Sequence, residues 1–225
     1  MELATSDANA FERVLQRLQD DVGAMMRVIR FVRTHQNRFP GTIDPPIWQG
    51  SKVPMFALAR MTFPIAESLG DLIYRNDHTT ENLRNILSNE LDDVRRGYKA
   101  NAACLATIYR HGLMHTDEMR TLATGTRKLT WLLSWNNPNY EHLHVTNPYP
   151  TNMNIYRINF DTFLFYEDVA KVCTKAMQVD HGGEVKKRYN SWLDLNLDVP
   201  TKKSRSSAST RQQAVDEINK LEPSR

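Results

Sequence analysis

Cysteine, net charge and long apolar runs are all scarce in this sequence, and each shortage excludes a class of protein. Only Cys104 and Cys173 occur in 225 residues. Each lies in an apolar stretch far from the other, so neither a disulfide framework nor a thiolate zinc site is indicated. No uninterrupted apolar run approaches the length of a membrane span, and Glu2 and Asp7 stand where a signal peptide would be basic and then apolar. We therefore expect a soluble, cytoplasmic protein without a membrane partner.

The net positive charge is small and comes from one end of the chain. The formal net charge is +3 at pH 7. Residues 201–225 hold six basic and three acidic side chains, which alone give +3, so the remainder is near neutral. A near-neutral body argues against a protein that coats long nucleic acid by counterion release alone, but it leaves room for a local cleft. Glycine-rich phosphate loops, Ser-His-Asp patterns and cysteine redox motifs are not recognisable.

Helical spacing of apolar residues dominates the chain. It predicts long helices from Ser6 or Asp7 to Phe39, from Phe56 to Tyr74 with a break at Pro64, from Thr79 or Thr80 to Tyr109, and from Phe160 to Met177. The same spacing predicts a shorter helix over residues 185–195. The Ser/Lys/Arg-rich composition from Pro200 onward is typical of disorder. We expect a single domain over residues 1–198 and a basic, flexible C-terminal tail over residues 199–225.

Residues from about 128 to 158 change from helical to strand-like spacing. Leu129–Trp135 and His142–Val145 flank the turn sequence Asn136-Asn137-Pro138-Asn139, and Tyr156–Ile158 follows as a further short strand. These segments predict a β-hairpin appendage. The fold class expected from the whole pattern is therefore mainly α: a helical bundle with a small β-hairpin insertion.

The segment from Arg110 to His115, Arg-His-Gly-Leu-Met-His, ends the third predicted helix. An arginine that is always charged can stabilise a phosphate, and a histidine that titrates near neutrality can move a proton. RNA-backbone cleavage without a metal requires both functions. Positions five apart are about 140° apart on a regular helix, so Arg110 and His115 do not share one face. Gly112 allows the last turn to loosen.

The stretch from Tyr109 to His115 resembles the Arg-(Asn/Asp/His)-x-x-x-His signature of the HEPN superfamily (higher eukaryotes and prokaryotes nucleotide-binding). These helical domains are often metal-independent ribonucleases. The resemblance implies a HEPN-like bundle and a homodimer in which the motifs of two protomers meet, so that two helix ends converge on one phosphate. It also suggests a defence or toxin–antitoxin setting with an antitoxin-like protein partner.

Under this resemblance, Arg110, His111 and His115 are the catalytic candidates and RNA is the substrate. His115 acts as general base on a ribose 2′-hydroxyl or as acid on the leaving 5′-oxygen, while Arg110 stabilises the charge on the phosphate. His111 orients His115 or touches the phosphate. The product then carries a 2′,3′-cyclic phosphate, and neither a cofactor nor a metal is needed. Tyr109 lies on the apolar stripe and is expected to fill the core.

Three alternatives compete with catalysis. A purely structural motif would pair Arg110 with a carboxylate and place His115 at a helix C-terminus. A metal site could use His111 and His115, four apart on a helix, with His142 and His144 on one side of a strand, although the usual glutamate between paired helical histidines is missing. A non-catalytic HEPN-like module would bind nucleotides or a protein. Glu67 and Asp71, four residues apart on a helix, can hold the motif or simply face solvent.

Overall fold

The computed structural model describes residues 7–35, 55–74, 79–109, 121–148 and 154–193. The helices are α1 (Asp7–Arg17), α2 (Ala24–His35), α3 (Met55–Tyr74), α4 (Thr79–Ile86), α5 (Asp92–Val94), α6 (Tyr98–Ile108), α7 (Thr162–Ala176) and α8 (Glu184–Leu193). The strands are β1 (Leu122–Thr124), β2 (Arg127–Ser134), β3 (Val145–Thr146) and β4 (Ile155–Asp161). The chain divides into two compact units after Lys186, and the features described below lie in the first. None of the described helices is long and apolar enough to cross a membrane.

The N-terminal helix follows its prediction over the described residues. A π-helical stretch, Leu18–Gly23, joins α1 to α2 without a break, and five described side chains of the predicted apolar stripe are buried: Phe11, Val14, Leu18, Val22 and Ile29. Asp7, one of the two predicted cap residues, is the first residue of α1, and its side chain bonds to residues of another segment. Its carboxylate accepts hydrogen bonds from the backbone N–H groups of Gly183 and Lys186, at 2.8 and 2.7 Å. Asp7 therefore satisfies free donors at the start of α8.

Helix α3 runs through Pro64 without the predicted break. Proline removes one backbone donor, but flanking turns and buried contacts hold the helix together, with Phe63, Ile65 and Ala66 all buried beside it. Gly70 allows α3 to approach α4 closely, since a Cβ there would lie 2.4 Å from the backbone oxygen of Asn82.

The predicted helix from Thr79 to Tyr109 is interrupted at its middle. A π-helical stretch, Leu87–Leu91, and the single turn α5 precede a break at Arg95, whose backbone is extended. Gly97 then adopts φ +111°, a conformation that favours glycine. Asp92 stabilises the restart, because its Oδ1 accepts the N–H groups of Gly97 and Lys99 at 2.9 and 2.8 Å. The break separates α6 from the helical segment that precedes it.

The expectation of a mainly α, HEPN-like bundle with a small β-hairpin is wrong. The described residues form an α/β mixture with a four-stranded mixed sheet in the order β1-β2-β4-β3. β2 and β4 pair in parallel over seven residues, from Lys128 opposite Ile155 to Ser134 opposite Asp161. The segment after the Asn136–Asn139 turn does not return along β2. It contributes only the two-residue edge strand β3, antiparallel to β4.

The sheet is part of the core and not an appendage. Trp131 on β2 and Ile158 and Phe160 on β4 are buried. The ring of Trp131 meets Phe56 of α3 edge-on, with centroids 6.2 Å apart. Apolar residues on alternate positions of both strands therefore face the helices, and this burial favours the parallel pairing over an isolated hairpin.

Candidate functional site

The three sequence-predicted site residues, Arg110, His111 and His115, lie outside the described residues. The described chain stops at Tyr109, directly after α6, and resumes at Thr121 before β1. The segment lies between α6 and β1 in the sequence, and both of these elements are described.

The end of α6 is fixed by aromatic packing. Tyr109 is 1% exposed, and its ring stacks on Phe63 of α3 with centroids 4.9 Å apart. Phe63 also meets Phe160 and Phe165, at 5.4 and 4.7 Å. The prediction that Tyr109 fills the core is confirmed. The helix that precedes Arg110 therefore ends at a rigid point of the core.

A cavity of about 360 Å³ lies where α6 approaches the sheet. Its lining residues are Cys104, Leu122, Ala123, Thr124, Arg127, Lys128, Leu129, Val145 and Tyr156. Leu122 lies opposite Leu129, and Leu129 lies opposite Tyr156, so these three side chains form one row across three strands. Cys104 on α6 contributes a thiol whose pKa burial raises. The described lining is apolar apart from this thiol, one threonine, one tyrosine and two cations.

A buried polar network lies beside the break before α6. Asp168 of α7 is fully buried and accepts two bonds from Arg95, from Nε at 2.6 Å and from Nη2 at 3.1 Å. The hydroxyl of Tyr98 donates to Asp168 at 3.1 Å and contacts Nε2 of His142 at 2.9 Å. The backbone N–H of Asp161 donates to Nδ1 of His142 at 2.8 Å. The network therefore joins α6, α7, β4 and the turn before β3.

The hydrogen bonds define the protonation of His142. Because Nδ1 accepts from Asp161, the ring hydrogen is on Nε2, which donates to the Tyr98 oxygen while the Tyr98 hydroxyl donates to Asp168. Burial disfavours the charged form of each group. It therefore lowers the pKa of His142 to about 4 and raises the pKa of Tyr98. With its donors and acceptors engaged, this network positions helices and offers no proton-transfer group to a substrate.

The predicted metal ligands of the β region do not come together. His142 and His144 lie in the turn before β3 and not on one side of a strand. His142 is buried with both ring nitrogens bonded, whereas His144 is exposed, with Nδ1 3.6 Å from a carboxylate oxygen of Glu141. Across the ranges that the structure describes, no group of three or more His, Cys, Asp or Glu side chains is placed to hold a metal. His111 and His115 fall outside those ranges.

Of the two carboxylates proposed near the motif, Glu67 and Asp71, the second has a defined structural contact. Asp71 of α3 accepts a hydrogen bond from the side-chain amide of Asn82 at 2.8 Å, which helps to join α3 to α4. Apolar periodicity did not reveal the network of Arg95, Tyr98 and Asp168. One signal was present in the sequence, because Asp168 interrupts the buried spacing of Phe165, Val169 and Val172.

No family is shown for this chain. No protein-family model, no curated protein and no solved structure matches it. The HEPN resemblance therefore depends on the residues from Tyr109 to His115 alone.

The depressed pKa of His142 predicts acid sensitivity of the fold. Between pH 6.5, where an unfolded histidine titrates, and pH 4, the unfolded chain binds a proton that the folded chain does not. The free energy of unfolding should therefore fall by up to about 3 kcal/mol as the pH decreases through this window. Urea denaturation at several pH values measures the slope. His142→Gln should reduce the slope of the free energy of unfolding against pH, whereas His144→Gln, at an exposed site, should leave this slope unchanged. Equal slopes in wild type and His142→Gln would contradict the prediction.

Proposed function

We propose that this protein is a metal-independent endoribonuclease that cleaves RNA by attack of a ribose 2′-hydroxyl on the adjacent phosphate. The observation that carries the proposal is the Tyr-Arg-His-Gly-Leu-Met-His sequence of residues 109–115. The structure supports it in one respect. Tyr109, directly after α6, is buried and stacks on Phe63, so the catalytic segment begins from a rigid point, as a precisely held site requires.

The chemistry uses only side chains of the motif and the substrate. His115 removes the 2′-hydroxyl proton or returns a proton to the leaving 5′-oxygen, and Arg110 stabilises the charge that develops on the phosphate. His111 orients His115 or contacts the phosphate. The 2′-hydroxyl bonds to phosphorus as the phosphorus–5′-oxygen bond breaks, leaving a 2′,3′-cyclic phosphate and a 5′-hydroxyl. DNA lacks the nucleophile and is not cleaved.

Cleavage of RNA in the presence of EDTA tests this function. The purified full-length protein is incubated with structured and unstructured RNAs, and the product ends are analysed for 2′,3′-cyclic phosphate. We expect cleavage without added metal. Activity that EDTA abolishes and zinc restores would instead favour a histidine metal site. Absence of cleavage on all of these RNAs would favour a binding module that uses the same motif without chemistry.

A homodimer belongs to the same proposal. Arg110 and His115 point in different directions on a regular helix, so two motifs facing one another across a twofold axis can place both groups on one phosphate. We expect a dimer at micromolar concentration in analytical ultracentrifugation. Mixing inactive Arg110→Ala and His115→Ala chains should restore part of the activity if the site is shared. A monomer that is fully active would contradict this arrangement.

The resemblance suggests a defence or toxin–antitoxin role, in which an antitoxin-like protein would hold the ribonuclease inactive. Both cysteines are free thiols, which suits the reducing cytosol that we propose as its location.

A further inference from the structure

The cavity between α6 and the sheet is lined by a row of apolar and aromatic side chains. Leu122, Leu129 and Tyr156 form one row across the sheet. Val145 of β3 adds an apolar surface that is 41% exposed. A volume of about 360 Å³ lies at the small end of the range of about 300–1,000 Å³ that is usual for small-molecule pockets.

Two cations are among the described residues that line this cavity. Arg127 and Lys128 are exposed at the start of β2. Neither side chain has a hydrogen bond or an ion pair with any residue that the structure describes, and no carboxylate is among the described lining residues. Elsewhere on the surface, by contrast, Arg84 pairs with Glu81 and Lys175 with Asp93. The charge at the cavity therefore complements an anion.

Tyr156 supplies an aromatic ring to the described lining of the cavity. Tyr156 is half-buried, and within the described part of the chain its ring stacks on no other ring, in contrast to the clustered rings of Phe63, Tyr109 and Phe160. An aromatic ring and two cations that line one cavity match a nucleobase joined to a phosphate, because bases stack on aromatic side chains while Lys and Arg neutralise the backbone.

We propose that this cavity binds one nucleotide of single-stranded RNA, with the base stacked on Tyr156 and the neighbouring phosphates next to Arg127 and Lys128. The proposal rests on the proposed ribonuclease function for the identity of the ligand. It gives a near-neutral protein a local RNA cleft. Cys104, on the cavity wall, belongs to α6, the helix whose end precedes Arg110 in the sequence, so the bound strand contacts the helix that leads to the motif.

Binding of a 5′-fluorescein-labelled hexamer of riboadenylate tests the proposal by fluorescence anisotropy in EDTA. All variants carry His115→Ala, so that binding is measured without dependence on cleavage. Tyr156→Leu should weaken binding about tenfold or more, as expected for loss of one stacked base, and Tyr156→Phe should retain affinity. The Arg127→Gln/Lys128→Gln pair should reduce the slope of log Kd against log salt by about 1.4, if each cation neutralises one phosphate of a single strand.

Matched controls locate the effect. Tyr140→Leu removes an aromatic ring that is 37% exposed and outside the cavity lining, and Arg84→Gln removes one exposed positive charge on α4. Both should bind the hexamer as the parent does. Unchanged binding in Tyr156→Leu, an equal loss in Tyr140→Leu, or no binding of the hexamer by the parent would overturn the proposal. If Tyr156→Leu does not fold, the salt dependence of the Arg127→Gln/Lys128→Gln double variant still tests the proposal, because both of these residues are exposed.

The two proposals fail separately. Weaker binding in Tyr156→Leu without any RNA cleavage by the wild type would support the nucleotide site and remove the proposed reaction. Cleavage by the wild type with unchanged binding in the cavity variants would support the reaction and remove the nucleotide site.

Discussion

Replacing Arg95 by alanine is expected to lower the free energy of unfolding by about 3 kcal/mol. Asp168 is fully buried, and Arg95 neutralises it through two hydrogen bonds at 2.6 and 3.1 Å. Without the guanidinium, the carboxylate keeps one donor from Tyr98 and a longer ion-pair contact of 3.6 Å to the exposed Lys171. Removing one partner of a buried ion pair is costly because the remaining charge stays desolvated. Chemical denaturation of the purified variant measures the loss.

Two further variants distinguish a buried charge from a surface effect. Arg84→Ala removes an ion pair with Glu81 in which the side chains are 51% and 40% exposed, and it should lower the free energy of unfolding by less than about 1 kcal/mol. The double variant Arg95→Met/Asp168→Leu removes the uncompensated carboxylate and should recover part of the lost stability. If Arg95→Ala costs no more than Arg84→Ala, the network does not support the fold as we describe it.

His115→Ala is expected to reduce RNA cleavage at least ~100-fold, because the proton transfer that it removes contributes about 10²–10⁴ to the rate of such reactions. Arg110→Ala should lose a similar factor, since removing one donor to a developing oxyanion costs about 10²–10³. Initial rates on one RNA substrate under EDTA measure both. The melting temperature of each variant should remain close to that of the wild type, which separates lost chemistry from lost structure.

Exposed residues of the same types provide the controls. His144→Ala and Arg84→Ala remove a histidine and an arginine that lie on the surface outside the motif, and both variants should cleave at the wild-type rate. Full activity in His115→Ala and Arg110→Ala would exclude the proposed mechanism.

Most helices could be predicted from the sequence because each buries one apolar stripe. The repeated three- and four-residue spacing located α1 with α2, α3, and α7, and it also placed Tyr109 in the core. The motif of Arg110, His111 and His115 could likewise be recognised from residue types and spacing alone. Both the apolar spacing and the motif involve residues that are close together in the chain, so a single sequence is enough to recognise them.

Strand pairing could not be derived in this way. The alternation in β2 and β4 predicted strands, but the Asn-Asn-Pro-Asn turn favoured a hairpin, whereas β2 in fact pairs in parallel with β4, more than twenty residues later. A parallel pair buries Trp131, Ile158 and Phe160 together against the helices, and that gain is a property of distant contacts.

The sequence by itself determined the helical stripes, the absence of a disulfide framework and the arginine–histidine motif, since each depends on residue identity and local spacing. Only the tertiary structure decided that a mixed sheet completes the core, that Arg95, Tyr98, His142 and Asp168 form one network, and that Arg127, Lys128 and Tyr156 line one cavity. These groups are separated by up to 73 positions along the chain. They meet because burial of apolar surface brings their elements together, and no local pattern records which elements will meet.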